Sequence, residues 1–170
     1  AWLALPQRAM SQEDVATAGL ETINIATSGI LEPIEGAKTQ FVPLLQSSEY
    51  AMPFEAARFS MLANPGELMR DLEPTGERYA IAARISGPAQ SAYPNGIEGQ
   101  KDGLKSAENI NVIAVADTDM LTDRMWVQVQ EFFGQRMPQP WADNGSFTIN
   151  ALDNLTGSEA LISVRSRGRF

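Results

Sequence analysis

One largely apolar stretch constrains the fold of this chain more than any other feature. It spans residues 109–116 (NINVIAVA) and runs directly into the acidic Asp117-Thr118-Asp119. A short apolar run of this kind is typical of a strand buried on both faces, as in a parallel sheet covered by helices on each side. The sequence therefore predicts a central strand, with the two aspartates at its carboxyl end, where open α/β sheets tend to bind ligands.

Apolar patterns predict further strands before and after this stretch. Residues 22–31 and 78–85 contain alternating apolar side chains, as does a closing segment over 160–164. Residues 38–47 carry apolar pairs on both sides of Pro43. Because proline cannot donate to a strand ladder, this strand is expected at a sheet edge or at a bulge.

Capping residues and helical spacing predict four helices. Ser11 with Asp14 resembles a capping box, and Thr122 with Asp123 is a favourable helix start, since an acidic first turn complements the helix dipole. Segments rich in glycine, proline and polar residues predict loops over 86–108 and 135–145, the first long enough to be functional or mobile. The predicted helices span residues 11–18, 53–63, 122–133 and 146–157.

These elements alternate loosely along 170 residues, which is enough for one domain. Alternation of strands with helices indicates an α/β fold. The strands of the N-terminal half lack helical crossovers between them, so part of the sheet is expected to be antiparallel or mixed. The expected architecture is therefore a mixed sheet with flanking helices.

Composition excludes several functional classes. The chain has no cysteine and no histidine, which removes Cys/His zinc sites, Ser-His-Asp triads and disulfides. Its formal net charge of −8 argues against binding to nucleic acid. No apolar run approaches the roughly 18 residues that cross a bilayer. No cofactor or metal site is predicted.

The aspartate pair resembles the first motif of haloacid-dehalogenase-type phosphotransferases. That resemblance implies a Mg²⁺-dependent phosphatase with Asp117 as nucleophile and Asp119 as general acid/base. Against it, Met120 stands where a small residue is common, and no lysine follows Lys105. The competing interpretation is that both aspartates end the strand and begin a helix, which suits aspartate for ordinary hydrogen-bonding reasons.

Asp117, Asp119 and Asp123 are candidate binding residues, because they follow the predicted central strand, and some basic and aromatic residues are candidates as well. Arg165 and Arg167 share one face of an extended strand and are predicted to bind an anion or acidic side chains, unless they pair with the acidic surface of the same domain. Trp141 lies in a predicted loop and is either a surface recognition residue or a packed anchor. A carbohydrate- or peptide-binding module is a further hypothesis, in which Trp141 and Tyr93 of the 86–108 loop share one groove.

An ordered set of segments resembles a known family. The segments are GLETIN (19–24), VPLLQSS (42–48), YAIAA (79–83), VIAVADTD (112–119) and NALDNLTG (150–157), which leads into LISVRSR (161–167). Together they resemble the auxiliary component of ABC-type transport systems related to gliding motility. Asn154 departs from the bulkier aromatic expected before Leu155.

The resemblance implies a non-enzymatic extracytoplasmic domain at the periplasmic face of the bacterial inner membrane. The whole protein would be membrane-anchored, and this chain would be the second half of a flavodoxin-like or amidotransferase-like domain. Its implied partners are the ABC transporter permease or other membrane subunits, which it would contact through loops at the carboxyl end of the sheet. Sheet edges left bare also predict a possible homodimer.

Overall fold

The strands in the described part of the chain form three small antiparallel sheets. The computed structural model describes residues 2–61, 66–99 and 103–157. The first sheet pairs β1 (Trp2–Pro6) with β2 (Thr22–Ala26), and the second has the order β3 (Gln40–Gln46), β4 (Ala80–Gln90) and β5 (Ser106–Val115). The third sheet is a hairpin of β6 (Val127–Phe132) and β7 (Gln135–Pro140).

Four helices accompany the sheets. They are α1 (Ala56–Met61), α2 (Gly66–Arg70), α3 (Asp123–Trp126) and α4 (Asn144–Leu155). Helices and strands are therefore mixed, as the sequence predicts. Every strand pair in the described residues is antiparallel, so the antiparallel portion of the expected mixed sheet is confirmed and its parallel portion is wrong. A flavodoxin-like or amidotransferase-like arrangement is not established.

The apolar stretch at 109–116 does form a strand, but β5 is not buried on both faces. Among the described residues it lies at one side of its sheet and pairs with β4 alone, and its Val112 is 44% exposed. Ile113 and Val115 pack against the core, so one face of β5 accounts for its apolar content. The central strand of this sheet is β4, whose first residues are buried.

The prediction for the strand that contains Pro43 is confirmed on both counts. β3 lies at the edge of its sheet, and its register with β4 shifts between Pro43 and Leu45 and again between Leu45 and Gln46. Proline removes a donor from the ladder, which a bulged edge strand tolerates.

The predicted 86–108 loop is partly wrong, because β4 extends to Gln90 and β5 begins at Ser106. The register shifts between Gly87 and Ala89, and the Asn109 side chain accepts the Gly87 N–H bond at 3.0 Å. This irregularity accommodates Gly87 and Pro88, two residues whose types are typical of loops. The remaining connection, 91–105, includes residues outside the described ranges.

The predicted helix over 122–133 is also wrong beyond its first turn. α3 ends at Trp126, and β6 follows with valine and glutamine in alternation, a period-2 pattern that favours a strand. Phe133 and Gly134 form the turn to β7, with φ of 49° and 75°. Two positive φ angles indicate a type I′ turn, which matches the twist of a hairpin. The predicted 135–145 loop is thus largely β7.

The first predicted helix is absent, and residues 11–18 form turns instead. Asp14 accepts the Ala16 N–H bond at 2.9 Å, and the Thr17 hydroxyl donates to the Ser11 carbonyl at 2.7 Å. These side chains bond to local main-chain groups in a turn, which competes with helix formation. α1 lies inside the predicted 53–63 helix, and the predicted strand at 160–164 lies outside the described residues.

The core joins the first two sheets and α4. β1, β2, β3 and β4 each contribute buried side chains, and Phe147 and Ala151 of α4 pack among them. The larger members are Leu5, Met10, Leu20, Ile23, Ile25, Leu44, Leu45, Ile81, Met120 and Phe147. The core therefore places the start of α4 beside the turn that follows β5.

Candidate functional site

Asp117 follows β5 and is used as a main-chain clamp. Its side chain is buried, with the residue only 9% exposed. Oδ1 accepts the N–H bonds of Asp119 and Met120 at 2.7 and 3.0 Å, and Oδ2 accepts that of Ala26 in β2 at 2.7 Å. The carboxylate thus closes the turn after β5 and fixes that turn to β2.

Asp143, which precedes α4, holds the opposite end of β2. Its Oδ2 accepts the N–H bonds of Glu21 and Thr22 at 2.7 and 3.1 Å. Its own N–H donates to the Thr22 carbonyl at 2.7 Å, and its carbonyl accepts the first α4 bond, from Phe147. The residue that starts α4 therefore also pairs with the outer edge of β2.

Asn144 fills the space between these two contacts. It is fully buried, and its Oδ1 accepts the Asn24 N–H bond at 3.0 Å. Its Nδ2 donates to the carbonyls of Asn24 and Met120 at 2.7 and 2.8 Å. The Asn24 side chain in turn donates to the Met125 carbonyl at 2.7 Å.

Three side chains, from Asp117, Asp143 and Asn144, therefore substitute for a neighbouring strand along β2. They accept the outward N–H groups of Thr22, Asn24 and Ala26 in succession. An edge covered in this way is satisfied without strand pairing. Asp143 and Asn144 are not among the residues predicted from the sequence. The Asp-Asn pair before the apolar residues of α4 could have indicated a helix start. It does not indicate that these side chains bond to β2.

The other two acidic candidates are more exposed. The Asp119 side chain is 39% exposed and lies 3.8 Å from the Arg124 guanidinium, a surface ion pair. Asp123 is exposed and begins α3. No group of three or more potential metal-ligating residues occurs in the ranges that the structure describes.

Trp141 borders an open pocket of about 360 Å³. The residue is 46% exposed, and its ring lies 5.9 Å from the Trp2 ring, centroid to centroid, at an interplanar angle of 43°. Its N–H donates to the Trp126 carbonyl at 2.8 Å, which fixes the residue at the base of the β6–β7 hairpin. The pocket is lined by Glu21, Thr22, Pro140, Trp141, Ala142, Asp143 and Ser146.

The pocket does not combine the aromatic residues as predicted. Tyr93 is 64% exposed and is not among the residues that line it, whereas Trp2 contacts Trp141 instead. Arg165 and Arg167 lie outside the described residues, so their proposed anion site stays a prediction.

A partly buried ion pair lies on the second sheet, away from these candidates. Arg84 of β4 donates to both carboxylate oxygens of Asp14, at 2.6 and 2.9 Å, and to the Asn111 side chain at 2.7 Å. Burial acts to raise the pKa of Asp14, but the bonds from Arg84 and from the Ala16 N–H hold that pKa below its ordinary value. The bond from Asp14 raises the pKa of Arg84, although burial opposes that shift.

Comparison with known protein families gives the affiliation of the chain. The model of an auxiliary family described as "ABC-type uncharacterized transport system" matches residues 1–151. The chain belongs to this family. The match covers every described element up to the middle of α4, and so includes Asp117, Trp141 and Asp143.

Membership of the ABC-type transport family confirms the broader part of the resemblance. The finer link to gliding motility is not shown by the match. No curated protein and no solved structure matches the chain. Across the described residues, no helix has the length and apolar character needed to cross a membrane.

Proposed function

We propose that the chain is a non-enzymatic accessory domain of an ABC-type transport system, and that it binds a membrane subunit of that system through the surface around Trp141. Family membership supports the transport role. The observation that carries the binding role is the pairing of half-exposed Trp141 with Trp2 beside an open pocket.

The chemistry of this surface suits a protein partner. Tryptophan is enriched among the residues that dominate binding energy at interfaces, because one rigid side chain supplies a large contact area. Trp2 and Trp141 together expose an aromatic surface, and Glu21 adds an exposed carboxylate to the pocket. A partner segment with an apolar side chain and a nearby basic group fits these features.

The role of Asp117 supports a non-enzymatic function. A carboxylate nucleophile needs an oxygen that can approach substrate, whereas both Asp117 oxygens accept main-chain N–H bonds. The phosphatase hypothesis therefore finds no support in the geometry. An auxiliary role in transport likewise suggests a protein that is not an enzyme.

The proposal includes the finer features that the resemblance implies. The domain lies on the periplasmic face of the bacterial inner membrane, is anchored by segments outside this chain, and serves a system related to gliding motility. It forms the second half of a larger flavodoxin-like or amidotransferase-like domain. Reading the coding sequence on both sides tests the anchor, since the absence of any apolar segment of bilayer length would contradict it.

Binding to the permease of the transport system, reconstituted in nanodiscs, tests the partner. We expect Trp141→Ala to weaken binding at least about tenfold, as for a central aromatic contact. Tyr50→Ala is the matched control, because Tyr50 is 78% exposed and is not among the pocket residues. Equal binding by wild type and Trp141→Ala would show that the partner binds at a different surface. Failure of the wild type to bind would show that the permease is not the partner.

A phosphatase assay tests the non-enzymatic part separately. We expect no Mg²⁺-dependent hydrolysis of p-nitrophenyl phosphate. Metal-dependent turnover in wild type that is lost in Asp119→Asn would contradict the proposal. Asp119 is chosen because its partly exposed side chain makes the substitution less disruptive to the fold than one at Asp117.

A further inference from the structure

The β6–β7 hairpin, residues 127–140, forms an arm with little support from the rest of the chain. Its two strands pair with each other, and no third strand joins them among the described residues. All of β7 is exposed, as are Val129 at 47% and Phe133, at the tip, at 93%. Both outer edges of the arm therefore face solvent or a partner.

One hydrogen bond at the base of the arm fixes which main-chain groups point outward. The Trp141 N–H donates to the Trp126 carbonyl at 2.8 Å. Antiparallel pairs alternate between hydrogen-bonded and non-hydrogen-bonded, and groups of the second kind point away from the hairpin. Counting from this bond along the register, the outward pairs are Val127 with Pro140, Val129 with Pro138, and Glu131 with Arg136.

The two edges of the arm consequently differ. On β7, two of these outward positions are Pro138 and Pro140, which have no N–H to offer. On β6, all three outward residues offer a carbonyl, and Val129 and Glu131 also offer an N–H, whereas the Val127 N–H donates to the Asp123 carbonyl at the end of α3. Proline on an edge strand prevents further pairing, so β7 is closed and β6 is open to another strand.

We propose that β6 pairs antiparallel with β6 of a second copy of this chain, about a two-fold axis at Val129. The two arms then form one four-stranded sheet in the order β7-β6-β6-β7. Val129 lies opposite Val129 of the second copy, and Val127 lies opposite Glu131. The Val129 pair exchanges two bonds, and each of the two Val127–Glu131 pairs adds one, from the Glu131 N–H to the Val127 carbonyl, so the interface has about four main-chain hydrogen bonds.

The residues on this edge fit a second copy. Glu131 is the only charged residue among the three outward positions of β6, and in this register it faces a valine rather than its own copy. Like charges directly opposite would destabilise the pair, and here they are avoided. The centre of the interface is the apolar Val129, whose side chain is nearly half exposed.

In this register, the tip of each arm contacts the other copy. Phe133 follows Glu131 by two positions and therefore reaches the base of the other arm, where α3 joins β6. The exposed phenyl ring would be covered there in both copies. Because the prolines close both outer strands, the assembly ends at two chains, as an isologous two-fold interface requires.

Cysteine crosslinking tests this pairing cleanly, because the chain has no cysteine of its own. Residues opposite each other in a hydrogen-bonded pair have Cα atoms about 5.5 Å apart, so Val129→Cys is expected to form a dimer rapidly with a short bifunctional thiol reagent. Met137→Cys is the matched control, since Met137 is 45% exposed but lies on β7. Two β7 strands are separated by three strand spacings, about 14 Å.

Val129→Pro tests the same interface without a thiol. It removes an outward N–H and leaves the bonds between β6 and β7 in place, so the monomer is expected to keep its melting temperature within a few degrees. Each copy loses a bond at the centre, and sedimentation velocity is expected to show a dimer dissociation constant at least about tenfold weaker. Equal crosslinking at positions 129 and 137, or a wild type that stays monomeric at all concentrations, would overturn the proposal. Crosslinking of Val129→Cys in membranes to a different protein alone would also overturn it, and would assign the edge to that protein.

Discussion

Oδ2 of Asp117 lies 2.7 Å from the main-chain nitrogen of Ala26, a residue 91 positions earlier in the sequence. This contact joins the turn after β5 to the outer edge of β2. It explains why an aspartate suits this position, because a carboxylate accepts several main-chain N–H bonds at once.

Asp117→Ala is expected to destabilise the fold strongly. Three N–H groups lose their acceptor, and a donor left buried without a partner costs about 1–3 kcal/mol. We expect the free energy of unfolding in urea to fall by at least about 3 kcal/mol. Asp123→Ala, at an exposed position, is the control and should change it by no more than about 0.5 kcal/mol. A small effect at Asp117 would show that the clamp contributes little.

The location of Asp117 at the end of a strand was predictable from sequence, but its partner was not. The apolar run over 109–116 identifies a strand, yet nothing in that run distinguishes a central strand from an edge strand with one packed face. The bulge at Pro43 was predictable, because the missing N–H is a property of the residue itself. The bonds from Asp143 and Asn144 to β2 depend on tertiary packing across more than a hundred residues, which local patterns do not encode.

The β6–β7 hairpin shows a different limit of sequence reasoning. Val129 and Phe133 are four positions apart and so fit helical spacing, while Val127 and Val129 fit the alternation of a strand. The turn uses Phe133-Gly134 rather than the Asn-Gly that usually marks a type I′ turn. The turn, where a hairpin is most easily recognised in a sequence, therefore lacks the usual signal.

Asp14→Asn is expected to make stability less dependent on acid pH. The pKa of Asp14 is lower in the folded chain than its ordinary value near 4, so its ion pair with Arg84 stabilises the fold fully above that value. The stabilisation is lost as pH falls from the unfolded-state pKa through the folded-state pKa. Wild type should thus be more stable than the variant at pH 7, and the gap should narrow below about pH 4.

Thermal unfolding at a series of pH values between 7 and 3 measures this gap. Glu13→Gln is the control, because Glu13 is an exposed neighbour. A gap that stays constant down to pH 3 would show that Asp14 does not lose its ion pair over this range. Arg84→Met should lower the stability more than Asp14→Asn does at neutral pH, because it leaves the partly buried Asp14 carboxylate without its guanidinium partner.

Phe133→Asn is expected to stabilise the arm. Phe133 has φ of 49°, a conformation that non-glycine residues adopt at a cost of about 1–3 kcal/mol and that asparagine tolerates better. At a concentration at which the chain is monomeric, amide hydrogen exchange within β6 and β7 should slow by up to about tenfold, with no change in β4. Faster exchange in the arm would mean that contacts of the phenyl ring outweigh the backbone strain.

Gly145→Ala should destabilise the fold, although alanine is the better helix former. A Cβ at this position in α4 would lie 2.6 Å from the Trp126 ring. The indole, which packs against the backbone at Gly145, would therefore have to move. Overpacking of this kind costs about 1–3 kcal/mol, more than the roughly 1 kcal/mol gained from helix propensity.

A double-mutant cycle with Trp126→Ala isolates this contact. With the ring absent, Gly145→Ala should become stabilising by up to about 1 kcal/mol, so the sign of its effect reverses between the two backgrounds. Urea unfolding of the four proteins measures both effects, with far-UV circular dichroism to confirm an unchanged helix content. The same sign in both backgrounds would show that the space at Gly145 is limited by something other than Trp126. Reversal would establish that this glycine is needed so that the indole can lie against the first turn of α4, directly beside the residues that cover the edge of β2.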